Sequence, residues 1–203
     1  LMQHCSAKKL APPFATQSNA TQPEHHPLYT LFYRWAEKHF PQYQLKPCPA
    51  FCAGHHYELQ GPTGESNQYV VLPRKRVLSL ADQEQDQIQQ LAAIFAVGSQ
   101  PTVLAENTFV LKYLPKMPKE IVDSFAIIQS IETDDFDAVL HDGSKAQLQK
   151  LQTLIASRQG VIIGITHLQP FDHEIPLERL VIERAISINT AAAGGNASLM
   201  TLI

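Results

Sequence analysis

A chain of 203 residues with 44% hydrophobic and 17% charged side chains carries enough apolar material to bury a core without metals or disulfides, and its composition excludes a disordered protein. A formal net charge of −3 with no basic stripe argues against a nucleic-acid partner, and no stretch approaches the roughly 18 apolar residues of a membrane span. The three cysteines, Cys5, Cys48 and Cys52, lie in the first quarter; an odd number so placed makes no disulfide framework and suits a reducing cytoplasm. The start, Leu1-Met2-Gln3-His4-Cys5, lacks the pattern of a signal peptide, and Leu1 suggests a cut from a longer chain.

In chain order, residues 1–26 read as a linker, because Ala11 to His26 has no apolar period. Pro27 opens a helix whose Leu28, Leu31, Phe32 and Trp35 share one face, and Pro41 ends it. Irregular chain is expected from there to residue 60. The turn-rich Gly61-Pro62-Thr63-Gly64 then begins an alternation of strands and helices over residues 61–176. Strands are expected at Tyr69–Leu72, Val77–Leu80, Thr102–Leu104, Phe125–Ile128 and Phe136–Leu140. Asp82 with Gln85 reads as a capping box opening a helix with Glu84 and Asp86 in its first turn. Its buried stripe is Ile88, Leu91, Ala92 and Phe95, and Gly98 closes it. Ser144 with Gln147 opens a second helix with Leu148, Leu151 and Ile155 inward. Val161–Ile165, apolar and β-branched, reads as a central parallel strand. This alternation means βαβ units and a mostly parallel, right-handed sheet with flanking helices. Residues 177–203 differ: a helical turn, an alternating Ala185–Asn189, then the small residues Thr190 to Asn196 and the apolar end.

Chemistry is sparse. Cys48, Cys52, His55 and His56 have the residue types of a zinc site, but the spacing is loose and an incidental loop is the plainer reading. The turn after the first core strand, Ser79-Leu80-Ala81-Asp82-Gln83, has no glycine, and Asp82 would repel a phosphate. Phosphate-loop and nucleophile-elbow motifs are absent. Asp134, Asp135 and Asp137 read as a solvated acidic loop. His167 and His173 flank a loop where α/β sites often sit, without a partner of clear role. In the tail, Asn189, Thr190, Ala191, Ala192, Ala193, Gly194, Gly195, Asn196, Ala197, Ser198, Leu199 and Met200 pair small residues with apolar ones. That pattern suits a backbone docked closely on another surface better than a free tail.

The stretches Gly61–Asn67, Leu72–Leu78, Ala81–Asp86 and above all the tail Ile182–Thr201 resemble the end of bacterial proline utilization A. The resemblance runs from about Leu28 to Ile203. It implies a parent with an FAD-dependent proline dehydrogenase and an NAD-dependent aldehyde dehydrogenase, joined by the intermediate pyrroline-5-carboxylate. Both active sites would lie upstream. The resemblance further implies that this region is an aldehyde-dehydrogenase-like, Rossmann-like domain with a small β-flap and an extended C-terminal tail. Its role would be to cover the cavity through which the intermediate passes, with the parent's aldehyde dehydrogenase module as partner. Measured against a working aldehyde dehydrogenase, the chemistry is missing. The ribose-holding lysine would fall near Leu104, the oxyanion asparagine near Ala81 or Asp82, and the glutamate base near Gly164-Ile165. No cysteine follows Cys52. The expectation is a domain without catalytic residues, cofactor or metal of its own. The parent is expected to be cytoplasmic, compatible with peripheral attachment to the inner membrane and with homo-oligomers. Two rivals stand beside this reading, an independent nucleotide-binding domain and a zinc-bearing interaction module.

Overall fold

The computed structural model describes residues 24–51, 54, 56–61, 64–170 and 174–189. The alternating pattern folds as an α/β unit around a parallel sheet, and a second, smaller unit holds antiparallel strands. The larger unit comprises residues 23–53 and 73–182. Its strands are β3 (Arg76–Leu80), β4 (Gln100–Leu104), β5 (Ala126–Ile128), β6 (Ala138–His141) and β7 (Gly164–His167), in spatial order β5-β4-β3-β6-β7. Every neighbouring pair is parallel. The chain builds outward from β3 in one direction, then returns to its other side with β6. The carboxyl ends of β3 and β6 therefore flank a topological switch point, the place where open α/β sheets bind ligands.

Helices α1 (Pro27–His39) and α2 (Glu84–Ala96) are layered, Phe32 meeting Phe95 with ring centroids 5.1 Å apart and both rings fully buried. The apolar stripe of α2 is buried as its period requires, but Asp86, Gln87, Gln89 and Gln90 on its other faces are buried as well. Such polar side chains need partners. Gln87 Nε2 donates to Ser79 Oγ at 2.6 Å, and Ser79 Oγ donates to Gln90 Oε1 at 2.7 Å. Gln89 Nε2 donates to the Lys46 carbonyl at 3.1 Å. Gly98, with φ of +78°, ends α2. Its N–H donates to the Phe95 carbonyl and that of Ser99 to the Ile94 carbonyl, satisfying two otherwise orphaned groups. The remaining helices are α3 (Thr108–Tyr113), α4 (Lys119–Val122) and α5 (Lys145–Ser157). In α5, Ser144 and Gln147 form the expected capping box, and Leu151 and Ile155 are buried in a cluster with Leu78, Phe136 and Val139.

In a separate three-stranded sheet, β1 (His56–Leu59) pairs antiparallel with β2 (Glu65–Pro73), and β8 (Val181–Asn189) lies on the other side of β2. Asn189 is the last residue of β8; Thr190 to Met200 lie outside the described residues, as do Cys5, Cys52, His55 and His173.

Three expectations change. The irregular lead-in to residue 60 contains β1, a four-residue strand whose stability comes from pairing with β2 and which has no strong apolar period of its own. The capping box at Asp82 does not form. The N-cap is Gln83, and the Asp82 carboxylate faces Gln147 on α5. The run Val161–Ile165 is no central strand: β7 begins at Gly164 and lies at the sheet edge, and Val161 and Ile162 are 80% and 98% exposed. Ile163 alone of the first three turns into the core.

Candidate functional site at the sheet switch point

The turns after β3 and β6 lock together. The Asp82 N–H donates to Asp142 Oδ1 at 2.9 Å, and the Asp142 N–H donates to the Leu80 carbonyl at 3.3 Å. Gly143 follows, where a Cβ would come within 2.8 Å of both His141 Nε2 and Gln147 Oε1, so only glycine fits without displacement. At the end of β6, His141 Nδ1 lies 3.2 Å from Nδ1 of His167, at the end of β7. One ring must hold the proton and the other accept it, which two imidazolium ions cannot do. Burial, then the neighbouring His167, lowers the His141 pKa below its ordinary 6.5.

Asp142 is 3% exposed. Its Oδ1 is held by the Asp82 N–H, and among the described residues no donor is bonded to its Oδ2. Burial is the main cause that raises its pKa to about 6, with the charges of Asp86 and Asp82 adding to it and the Asp82 N–H opposing. Two clefts open here. One, of about 660 Å³, is lined by Asp86, Asp142, Lys145 and His167. The other, of about 390 Å³, has the aliphatic walls Leu80, Leu104, Ile131, Leu151 and Leu154. Asp82 lines both.

A dinucleotide fits this site poorly. Asp82 and Asp142 occupy the turn where a phosphate would need free N–H groups, and Glu84 and Asp86 fill the first turn of α2. Leu104, where the resemblance would require a lysine, is an aliphatic wall. The other candidates have structural roles or stand apart. Asp134 accepts the N–H groups of Ser130 and Gln129 at 2.9 and 2.8 Å, which hold its carboxyl below the usual range. Asp137 accepts the Arg76 N–H at 2.8 Å. Burial pushes the Cys48 thiol up to about 12, the opposite of a thiolate ligand. His56 is exposed at the start of β1, and among the described residues no three His, Cys, Asp or Glu converge as a metal site. Sequence reasoning missed His141 and Asp142 as a site. The available signal was their place at the end of an apolar strand run, just before a glycine and a helix cap.

No protein-family model matches the chain. Bifunctional protein PutA of Escherichia coli is 47% identical over 154 residues, and that of Salmonella typhimurium 43% over 152, in each case 74% of this chain. PutA of Rhizobium meliloti is 30% identical over 151 residues. The chain is homologous to a segment of bacterial PutA. It spans 11% of the length of the Escherichia coli and Salmonella proteins. Among solved structures, a Bradyrhizobium japonicum PutA is similar over 57% of this chain and 14% of its own, at 18% identity and a TM-score of 0.44. An indole-3-acetaldehyde dehydrogenase is similar over 70% of this chain and 34% of its own, at 9% identity and 0.47. Within the PutA-like chain, no described helix is long and apolar enough to cross a membrane.

Proposed function

We propose that this chain is a non-catalytic domain of a proline-catabolic PutA enzyme, covering the cavity through which pyrroline-5-carboxylate passes and supporting the aldehyde dehydrogenase module of the same parent. In this reading the parent, a cytoplasmic protein, holds FAD in a proline dehydrogenase module and NAD in the aldehyde dehydrogenase, and this domain holds neither. The observation that carries the non-catalytic reading is the closed turn at the switch point, where Asp82 gives its N–H to a buried carboxylate. The covering reading rests on homology to a PutA segment and on the small and apolar residues from Asn189 to Met200.

Two experiments test it. Deleting residues 189–203 from the parent should leave proline oxidation nearly intact, because that chemistry belongs to another module. It should slow aldehyde oxidation, with a lag in NADH formation and intermediate trapped by an external reagent. Valine at Gly194 and Gly195 should act alike, since β-branched side chains block close backbone approach. A truncated parent that makes glutamate with no lag and no trapped intermediate ends the covering role. The rival, a nucleotide-binding domain, has in its favour only that the clefts lie at the switch point. Calorimetric titration of the chain with NAD should show no binding, and micromolar affinity would establish the rival.

A further inference from the structure

We propose that the cleft beside the switch point binds a small organic cation, a protonated amine carrying an aliphatic or aromatic body. The space of about 390 Å³ lies within the range of roughly 300–1,000 Å³ typical of small-molecule pockets. Its inner walls are the five aliphatic side chains Leu80, Leu104, Ile131, Leu151 and Leu154, from the ends of two strands, one loop and α5. Such walls favour an apolar body. The charged lining residues set the head group. Asp82 and Glu106 line the cleft, with Lys150 as the lysine among the lining residues. Asp82 receives only long hydrogen bonds from Gln147 Nε2, 3.5 and 3.4 Å to its two oxygens, which leaves acceptor capacity for a stronger donor.

In the adjoining cleft the carboxylates Asp82, Asp86 and Asp142 outnumber the one lysine in its lining, Lys145. Asp142 there is 3% exposed, and the neighbouring Asp86 acts on it through its charge and a side-chain hydrogen bond. An ammonium at Asp82 brings a positive charge to this excess of carboxylates. An anionic head would face Asp82 and Glu106 with Lys150 as the lysine lining the cleft, and a neutral hydroxyl can donate to Asp82 but does not offset its charge. Burial makes His141, which also lines this cleft, harder to protonate, so it adds no competing cation near neutrality.

The test uses three probes of one shape: 4-phenylbutylammonium, 4-phenylbutanol and 5-phenylpentanoate. They are titrated into the 203-residue chain at pH 7.5 and followed by amide shifts and calorimetry. The ammonium should bind with a dissociation constant on the order of 1 mM, shifting the amides of Leu80, Leu104 and Leu151. The carboxylate should bind about tenfold more weakly. Asp82→Asn should remove most of that preference with little change for the alcohol, and Asp82→Lys should reverse it. Leu154→Trp, filling the cleft, should weaken all three probes. Equal affinity for ammonium and carboxylate, shifts centred elsewhere, absence of binding by all three, or a preference that survives Asp82→Lys overturns the proposal.

Discussion

Asp142 offers the sharpest test of the switch-point geometry. Asp142→Asn keeps the oxygen that accepts the Asp82 N–H at 2.9 Å and removes the buried charge. The sign follows from proton counting. With a folded pKa near 6 against an ordinary 3.8, the folded state holds this proton to higher pH than the unfolded chain. Stability from this group therefore falls as pH rises from about 4 to 6 and is level above that. At 1.36 kcal/mol per pH unit, the cost of ionising it in place is about 3 kcal/mol as a ceiling. His141 works in the opposite sense. Its pKa is lowered, so the unfolded chain takes the proton first and stability falls as pH drops below 6.5. Subtracting the variant from the wild type isolates Asp142. Urea melts between pH 4 and 8 should give equal stability near pH 4 and a variant more stable by about 1–3 kcal/mol at pH 7.5. A variant that is less stable at pH 7.5, or a difference that does not change with pH, refutes the reasoning.

Three further outcomes are expected. Gly98→Ala should cost about 1–2 kcal/mol in urea melts, because φ is +78° and the new Cβ would lie 3.1 Å from the His26 ring. Ile162→Asp should change stability by less than about 0.5 kcal/mol, since this side chain is 98% exposed; a loss above 2 kcal/mol would restore the central-strand reading. Cys48, buried with its thiol pushed up to about 12, should resist alkylation at pH 8 in the native chain and react fully in urea, as read by peptide mass mapping.

Local features of this fold were legible because they are decided within a few residues. The α5 cap closes between Ser144 and Gln147, three positions apart, and α2 ends at Gly98, whose N–H bonds to Phe95 while that of Ser99 bonds to Ile94. The apolar period placed α1, and the alternation of strands and helices gave a parallel sheet. The absence of a glycine after β3 was visible too.

Strand order was beyond that reach. Val161–Ile165 has the composition of a central strand, yet among the described strands β7 pairs with β6 alone, beginning with Gly164 opposite Ala138. Asp82 has the sequence of a cap, yet its N–H goes to Asp142, 60 residues away, and its carboxylate to Gln147. His141 and His167, 26 residues apart, meet because β6 and β7 lie side by side in register. Short-range hydrogen bonds and hydrophobic period belong to the sequence by itself. Which distant carboxylates and imidazoles share one low-dielectric site was decided only when the sheet assembled, because burial and long-range pairing are properties of the packed chain.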